Sequence, residues 1–545
     1  MQDVFDKSGP ERLVAGGTWF LVLMILSGVF SWLSSVLVTR VYGPVGFGIF
    51  NTAYSLHNFA WVFIFGGLYQ GLMKFGSEYV TKRSRKTKEF FSSALKYMTL
   101  IGVGMFVLLT YISLQFTDPI MRIITLSLGV SFLFSGTKDA LASIIGSFQQ
   151  SNYLSIIGSS RNIIMTLAGV AFILVNAPSY MLPSMLIIGT VGQLILCIHF
   201  FRKDISNRSP FKSDNIELFD EGKEPELQTI IRFKKVAQFG FFISLAMIAF
   251  NIMKSLDIVV LTRFFDYADV GIYSVADIAS SILFYMTSFS LPVIPAIAEA
   301  HARKSNKLMK NYVKIAIKYP LIIGVPLTII IFIMAEPLIL YVYGADFVAA
   351  IAPLQILIIG TFLLMFAYNL SSILIGIGKS RLAGILMSVA AIQYIGSLFI
   401  LVPMFGFNGA ALALTLTGVT SMFFVPYYLK KELGVSIYKG LHMVVVSAVI
   451  MFFVLQSVPK TNALIVLVGV VGSAAIFVAS LYLMGYITKN DLKMMQIAGS
   501  SFAYADPKRK SRTTKSRKAK QKPKTNKRRV KRRIKISRRK PVTKK

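Results

Sequence analysis

Apolar runs of about 20 residues, the length a helix needs to cross the hydrocarbon core of a bilayer, recur along most of the chain. They predict fourteen spans, near 13–39, 48–72, 92–115, 120–146, 153–175, 182–201, 237–262, 271–296, 316–334, 349–376, 382–402, 408–428, 440–458 and 463–486. Pro292, Pro295, Pro320 and Pro326 fall within spans, which membrane helices tolerate when neighbouring groups satisfy the freed carbonyls. The fold class expected is an all-α polytopic membrane protein.

Polar residues between the spans divide into two kinds. Lys and Arg gather in even-numbered connections. The connection after span 2 reads KFGSEYVTKRSRKTKEF, and the one after span 6 holds Arg202, Lys203, Arg208, Lys212, Lys234 and Lys235. Arg303, Lys304, Lys307, Lys310 and Lys314 follow span 8, Lys379 and Arg381 span 10, and Lys430 and Lys431 span 12. Odd-numbered connections are short and carry Arg40, FTDP, NAPSYMLP, Arg263 with Asp266 and Asp269, and SVPKTN. The side reached after odd-numbered spans is termed the odd face, the other the even face. A cytoplasmic excess of Lys and Arg predicts that the even face and both termini are cytoplasmic, in a plasma membrane. MQDVFDKSGPERLVAGG at the start has acidic residues and lacks the basic region and cleavage site of a signal peptide, so span 1 reads as a retained helix.

The pattern also repeats. Leu37 to Ala53, LVTRVYGPVGFGIFNTA, and Val260 to Ala276, VLTRFFDYADVGIYSVA, align without gaps. They match at Thr39/Thr262, Arg40/Arg263, Gly48/Gly271, Ile49/Ile272, Phe50/Tyr273 and Ala53/Ala276. Six spans separate the copies, an even number, so both run the same way through the membrane. Parallel halves around a central cavity follow. The expected organisation is a six-helix half at 1–201, a linker at 202–236, a second half at 237–428, two further helices at 429–486 and a basic tail at 487–545.

Composition sharpens this reading. The chain is 54% hydrophobic and 15% charged, against roughly a quarter charged in soluble domains. Of the net charge of +35, Pro507 to Lys545 supplies 22 Lys and Arg with no Asp or Glu. The single cysteine, Cys197, excludes an internal disulfide.

Enzyme chemistry finds no footing. LIGIGKS (Leu374 to Ser380) ends as a phosphate-binding loop does, but the glycine needed five residues before Gly378 is Ile373. His57, His199, His301 and His442 are scattered without metal-ligand spacing. No nucleophile stands beside a base, so neither a catalytic residue nor a cofactor is expected. The polar candidates are instead ionisable residues within spans, which are costly and usually face water or one another. Lys254 and Asp257 in span 7 are three apart and share a helix face. They could line a cavity, with the ammonium meeting a pyrophosphate or acidic sugar, or form an ion pair that locks span 7. Their repeat mates are Ser31 and Ser34. Lys138 and Asp139 in span 4 and Asp277 in span 8 come next. Any ion-coupling carboxylate would come from Asp257, Asp277 or Asp139. Arg161, early in span 5, could meet phosphate or snorkel to the interface. Arg40 and Arg263 read as anchors of the repeat turns.

Four segments resemble the polysaccharide-transporter branch of the MOP flippase superfamily, which includes O-antigen flippases and is distantly related to MATE exporters. They are TRVYGPVGFGIF after span 1, YGADFVAAIAPLQILIIGTFL (Tyr343 to Leu363), LIGIGKSRLAGIL between spans 10 and 11, and FGFNGAALALTLT leading into span 12. The resemblance covers about residues 12–486. It implies an inverted-V bundle that carries a lipid-linked oligosaccharide, on a polyprenyl-(pyro)phosphate, to the outer leaflet by alternating access. Polysaccharide-assembly enzymes would then be partners. A MATE-like exporter of amphipathic cations would prefer an acidic cavity, against which the mixed Lys and Asp signs count. A non-transporting scaffold that recruits a partner through its tail is the third reading. The tail has no aromatic residue and no apolar period, a composition expected to be disordered. It suits anionic lipid headgroups better than nucleic acid, for which stacking aromatics are missing.

Overall fold

The computed structural model describes residues 9–81, 86–148, 150–205, 248–284, 294, 297, 298, 300, 301, 306–434, 440–459 and 463–488. The connection between halves and the basic tail therefore lie largely outside the described residues. Among the described residues, α1 (Gly9–Trp61) takes in span 1 and most of span 2 and α2 (Gly67–Thr81) follows it, while twelve further helices correspond in order to spans 3 to 14: α3 (Lys86–Gln115), α4 (Pro119–Ser147), α5 (Ser151–Leu174), α6 (Ser184–Phe200), α7 (248–264), α8 (Tyr267–Ser280), α9 (Asn306–Ile333), α10 (Ile351–Gly376), α11 (Ser380–Phe405), α12 (Phe407–Leu433), α13 (Leu441–Gln456) and α14 (Ala463–Leu483). Among the described residues, ten helical segments are long and apolar enough to cross a membrane by themselves.

Spans 1 and 2 differ from the expected helix–turn–helix. α1 runs on past residue 40 and joins α2 through a π-helical turn, Val62–Gly66. The expected turn shrinks to one residue, Gly43, at φ 64° and ψ −168°. A Cβ would strain that backbone, and glycine has none. Pro44 follows at the first position of the resumed helix, where a missing N–H costs nothing. In the second half the break falls at the equivalent place, with Asp266 extended (φ −74°, ψ 163°) ahead of Tyr267.

The repeat is visible in the packing. α4 packs on α2, α3 and α6, and six helices later α10 packs on α8, α9 and α12. α5 lies on α6 as α11 lies on α12. α13 and α14 pair with each other and join the bundle through α9, outside the repeat.

The halves meet where α1 crosses α8. A Cβ on Gly48 would stand 1.7 Å from the Tyr267 carbonyl oxygen, and one on Gly271 would stand 2.0 Å from that of Pro44. Gly48 and Gly271 are repeat mates at an offset of 223 residues, as are Pro44 and Tyr267. The contact is therefore reciprocal, as two-fold symmetry requires of an interface centred on its axis. Polar ties stand beside it at the odd face. Arg40 Nε donates to the Val342 carbonyl at 2.8 Å, and Arg40 Nη2 donates to that of Tyr341. On the other side Tyr267 Oη donates to Asp118 Oδ2 at 2.8 Å. Asp118 also caps α4, accepting from the Ile120 amide at 2.9 Å.

Candidate functional site

In the second half, α7 carries Lys254 and Asp257 as expected, but the two do not pair. Lys254 is exposed, with Nζ 4.5 Å from the centroid of the Phe284 ring. Asp257 is 1% exposed. It accepts a hydrogen bond from Tyr273 Oη at 2.6 Å and another from the Ile258 amide at 2.9 Å. The fully buried Tyr394 of α11 interacts with the same carboxylate. Thus α7, α8 and α11 enclose Asp257, while Lys254 is left facing open space. Asp277, partly exposed, lies within electrostatic reach of both Asp257 and Lys254.

The first half builds a different group. Lys138 Nζ stands 2.9 Å from Asp139 Oδ1, and Asp139 Oδ2 accepts from Trp61 Nε1 at 2.7 Å. The lysine is thereby neutralised and the indole held in one orientation; Lys138 Nζ also lies 6.0 Å from the Trp61 ring centroid. Arg161, from α5, donates through Nη1 to Asn58 Oδ1 at 3.2 Å and packs over Tyr54, 5.3 Å from its ring centroid. Tyr54, Asn58 and Trp61 follow i, i+4, i+7 spacing, so they form one face of α1, and all three are partly exposed. His57, from the buried side of that helix, stacks on Phe132 at 4.8 Å.

The offset of 223 residues maps Trp61 onto Phe284 and Tyr54 onto Asp277. Each half thus sets an ammonium near the ring at the equivalent position, Lys138 by Trp61 and Lys254 by Phe284. Among the described residues, only the first of these lysines has a carboxylate within ion-pair distance. Lys138, Asp139 and Arg161 come together in one half, and Lys254, Asp257 and Asp277 in the other. Arg40 ties the halves at the odd face, whereas Arg263 is exposed and makes no polar contact among the described residues. Sequence reasoning missed Tyr54, Asn58, Trp61, Tyr273 and Tyr394. Their aromatic and amide side chains carry no charge to mark them within an apolar run. The repeat register was the one available signal, since it sets Tyr54 opposite Asp277. Among the described residues, no cluster of three or more His, Cys, Asp or Glu could hold a metal ion.

Comparison with known proteins agrees with this architecture. An uncharacterised membrane protein of Methanocaldococcus jannaschii is 25% identical over 452 residues, spanning 78% of this chain and 85% of the relative. The solved lipid II flippase MurJ, in an inward closed conformation, superposes with a TM-score of 0.68 at 16% identity, covering 86% of this chain and 99% of that one. An inward-facing multidrug resistance MATE family transporter of the MOP superfamily superposes with a TM-score of 0.56 at 14% identity, covering 77% and 94%. At such identities the two structures speak for the fold alone. The sequence matches the MatE profile over residues 243–402. It also matches the profile of polysaccharide biosynthesis proteins over residues 13–301, more than half the chain. With its repeat, its two unlike polar groups and this match, the chain is a multi-pass membrane transporter of the MOP superfamily, and it belongs to the polysaccharide biosynthesis protein family.

Proposed function

We propose that this protein is a flippase. It moves a lipid-linked oligosaccharide on a polyprenyl-(pyro)phosphate carrier from the cytoplasmic to the outer leaflet of the plasma membrane, feeding polysaccharide or glycan export. The observation that carries the reading is Lys254, a mid-span ammonium that forms no ion pair among the described residues and lies next to an aromatic ring. A charge so placed is too costly to face lipid. It suits an aqueous path whose cargo is anionic. With the even face cytoplasmic, the ties at Gly48–Gly271, Arg40 and Tyr267 would hold the outer side shut while cargo loads from below. A purified sample tests the binding step. Polyprenyl pyrophosphate should raise its unfolding temperature as a ligand of the folded state does, and Lys254→Ala should remove the shift. An unchanged midpoint in the wild type would count against this cargo.

A MATE-like exporter of small cations is favoured by a different observation, the carboxylates Asp257 and Asp277 in the half that matches the MatE profile. Asp257 is engaged by tyrosines and secluded, so it suits ion coupling better than direct contact with a bulky cation. The basic tail is an accessory in the flippase reading, resting on anionic lipid. Deleting residues 507–545 should leave most transport activity in place. Loss of all activity on that deletion would favour a scaffold that recruits through the tail.

A further inference from the structure

Arg161 holds a charge that the flippase reading does not yet use. Its Nη1 is engaged by Asn58 Oδ1. Nε and Nη2, the two N–H groups that form the side-on fork of a guanidinium, are buried and have no acceptor. Among the described residues no carboxylate forms an ion pair with it. Asp139 is within electrostatic reach but is already taken by Lys138 and Trp61. A guanidinium stays charged in proteins, and a desolvated cation without an acceptor is strongly unfavourable. That edge is closed off here and would be reached by cargo in a conformation that opens around it; it carries two parallel N–H bonds, the arrangement that binds both oxygens of a carboxylate.

The surroundings suit a sugar. Asn58 Nδ2 makes no hydrogen bond and is not buried away, so it can donate to a ring hydroxyl. One turn further along the same face, Trp61 is fixed by Asp139 and partly exposed, offering an apolar ring.

We infer that Arg161 and Asn58, beside Trp61, form a subsite for a carboxylate-bearing sugar, so that the transported glycan is acidic. This rests on the flippase reading and adds to it a second anionic contact, in the half opposite Lys254. The cargo is held at two points, its carrier phosphate by Lys254 and its sugar carboxylate by the Arg161 fork.

The test uses the full chain reconstituted in liposomes. Three cargoes share one polyprenyl pyrophosphate and differ in the terminal sugar: a uronic acid, its methyl ester, or a neutral hexose. Wild type should transfer the acid about tenfold or more faster than the ester or hexose, the scale expected of a charge-assisted hydrogen-bond pair. Arg161→Lys keeps the charge but not the fork, and should lose this preference while still transferring the ester. Equal rates for acid and ester in the wild type would overturn the subsite without reference to any variant. An Arg161→Lys defect shared equally by all three cargoes would assign the fork to the carrier pyrophosphate, and the acidic-sugar assignment would fall. Transfer of none of the three would contradict the flippase reading and the subsite with it.

Discussion

Lys254→Ala should leave the protein inserted in the membrane and slow transfer of a lipid-linked saccharide by roughly 10- to 100-fold, the loss expected for a hydrogen bond to a charged group worth about 1.5–3 kcal/mol. The loss is expected to be one of function because no ion pair or hydrogen bond among the described residues depends on this side chain. Lys254 is exposed, pairs with no carboxylate among the described residues, and lies over the face of Phe284. Its removal breaks no ion pair among the described residues, although Asp277 loses a nearby positive charge. Lys138→Ala is the contrasting case, since it strands Asp139, which is 3% exposed and shared with Trp61. Breaking a buried pair from one side is destabilising by about 3–5 kcal/mol, so that variant should lose folded protein and activity together. Lys254→Arg keeps the charge and should retain part of the transfer rate. Transfer assays on protein quantified by its folded fraction separate these outcomes. A Lys254→Ala variant that transfers at the wild-type rate would remove the proposed phosphate contact.

A methyl group at the crossing of the halves should be nearly as consequential. Gly48→Ala or Gly271→Ala places a Cβ within 1.7 or 2.0 Å of a backbone carbonyl oxygen, and no rotamer change can relieve a clash with backbone. Overpacking of this kind costs about 1–3 kcal/mol, here charged to the state in which the odd face is shut. The two substitutions should not add. Once one has pushed α1 from α8 the second meets less resistance, and coupled neighbours depart from additivity. The lone thiol of Cys197, buried at 0% exposure, reports unfolding when it becomes reactive to a maleimide dye. Either variant should lower the midpoint of that reaction. Gly104→Ala, where a Cβ meets nothing within 4 Å, is the control and should not lower it. Midpoints equal to the control would mean that α1 and α8 are not in close contact in the membrane.

Much of the architecture was legible before the fold because bilayer thickness imposes it. Apolar runs of one length, and the fourteen helices they predict, follow from solvent alone. The register between halves was legible from a few residues, Gly48/Gly271 above all, because a crossing this close admits no side chain at either position. The turn after span 1 was read as longer than it is. RVYGPVGF has two helix breakers in succession, which suggests a loop, yet one residue at φ 64° re-aims the chain and the helix resumes at once. The candidate site was legible only in its charged members. Lys254 and Asp257 are three residues apart, which leaves them about 60° apart around the helix. That angle is enough for Asp257 to turn to Tyr273 while Lys254 faces outward. Whether neighbours three apart pair or part is decided by what packs beside them, and a tyrosine on another helix is invisible to local spacing. The same holds for Arg161, whose neighbours Tyr54 and Asn58 are more than 100 residues away in sequence.

The most direct test of the proposed function is leaflet transfer itself. Purified protein in liposomes would be given a fluorescent polyprenyl-pyrophosphate oligosaccharide in one leaflet, and its appearance in the other followed by quenching. The flippase reading predicts transfer that requires the protein and slows in Lys254→Ala. No transfer of this cargo, together with export of a cationic dye driven by a proton or sodium gradient, would contradict it and identify a MATE-like exporter.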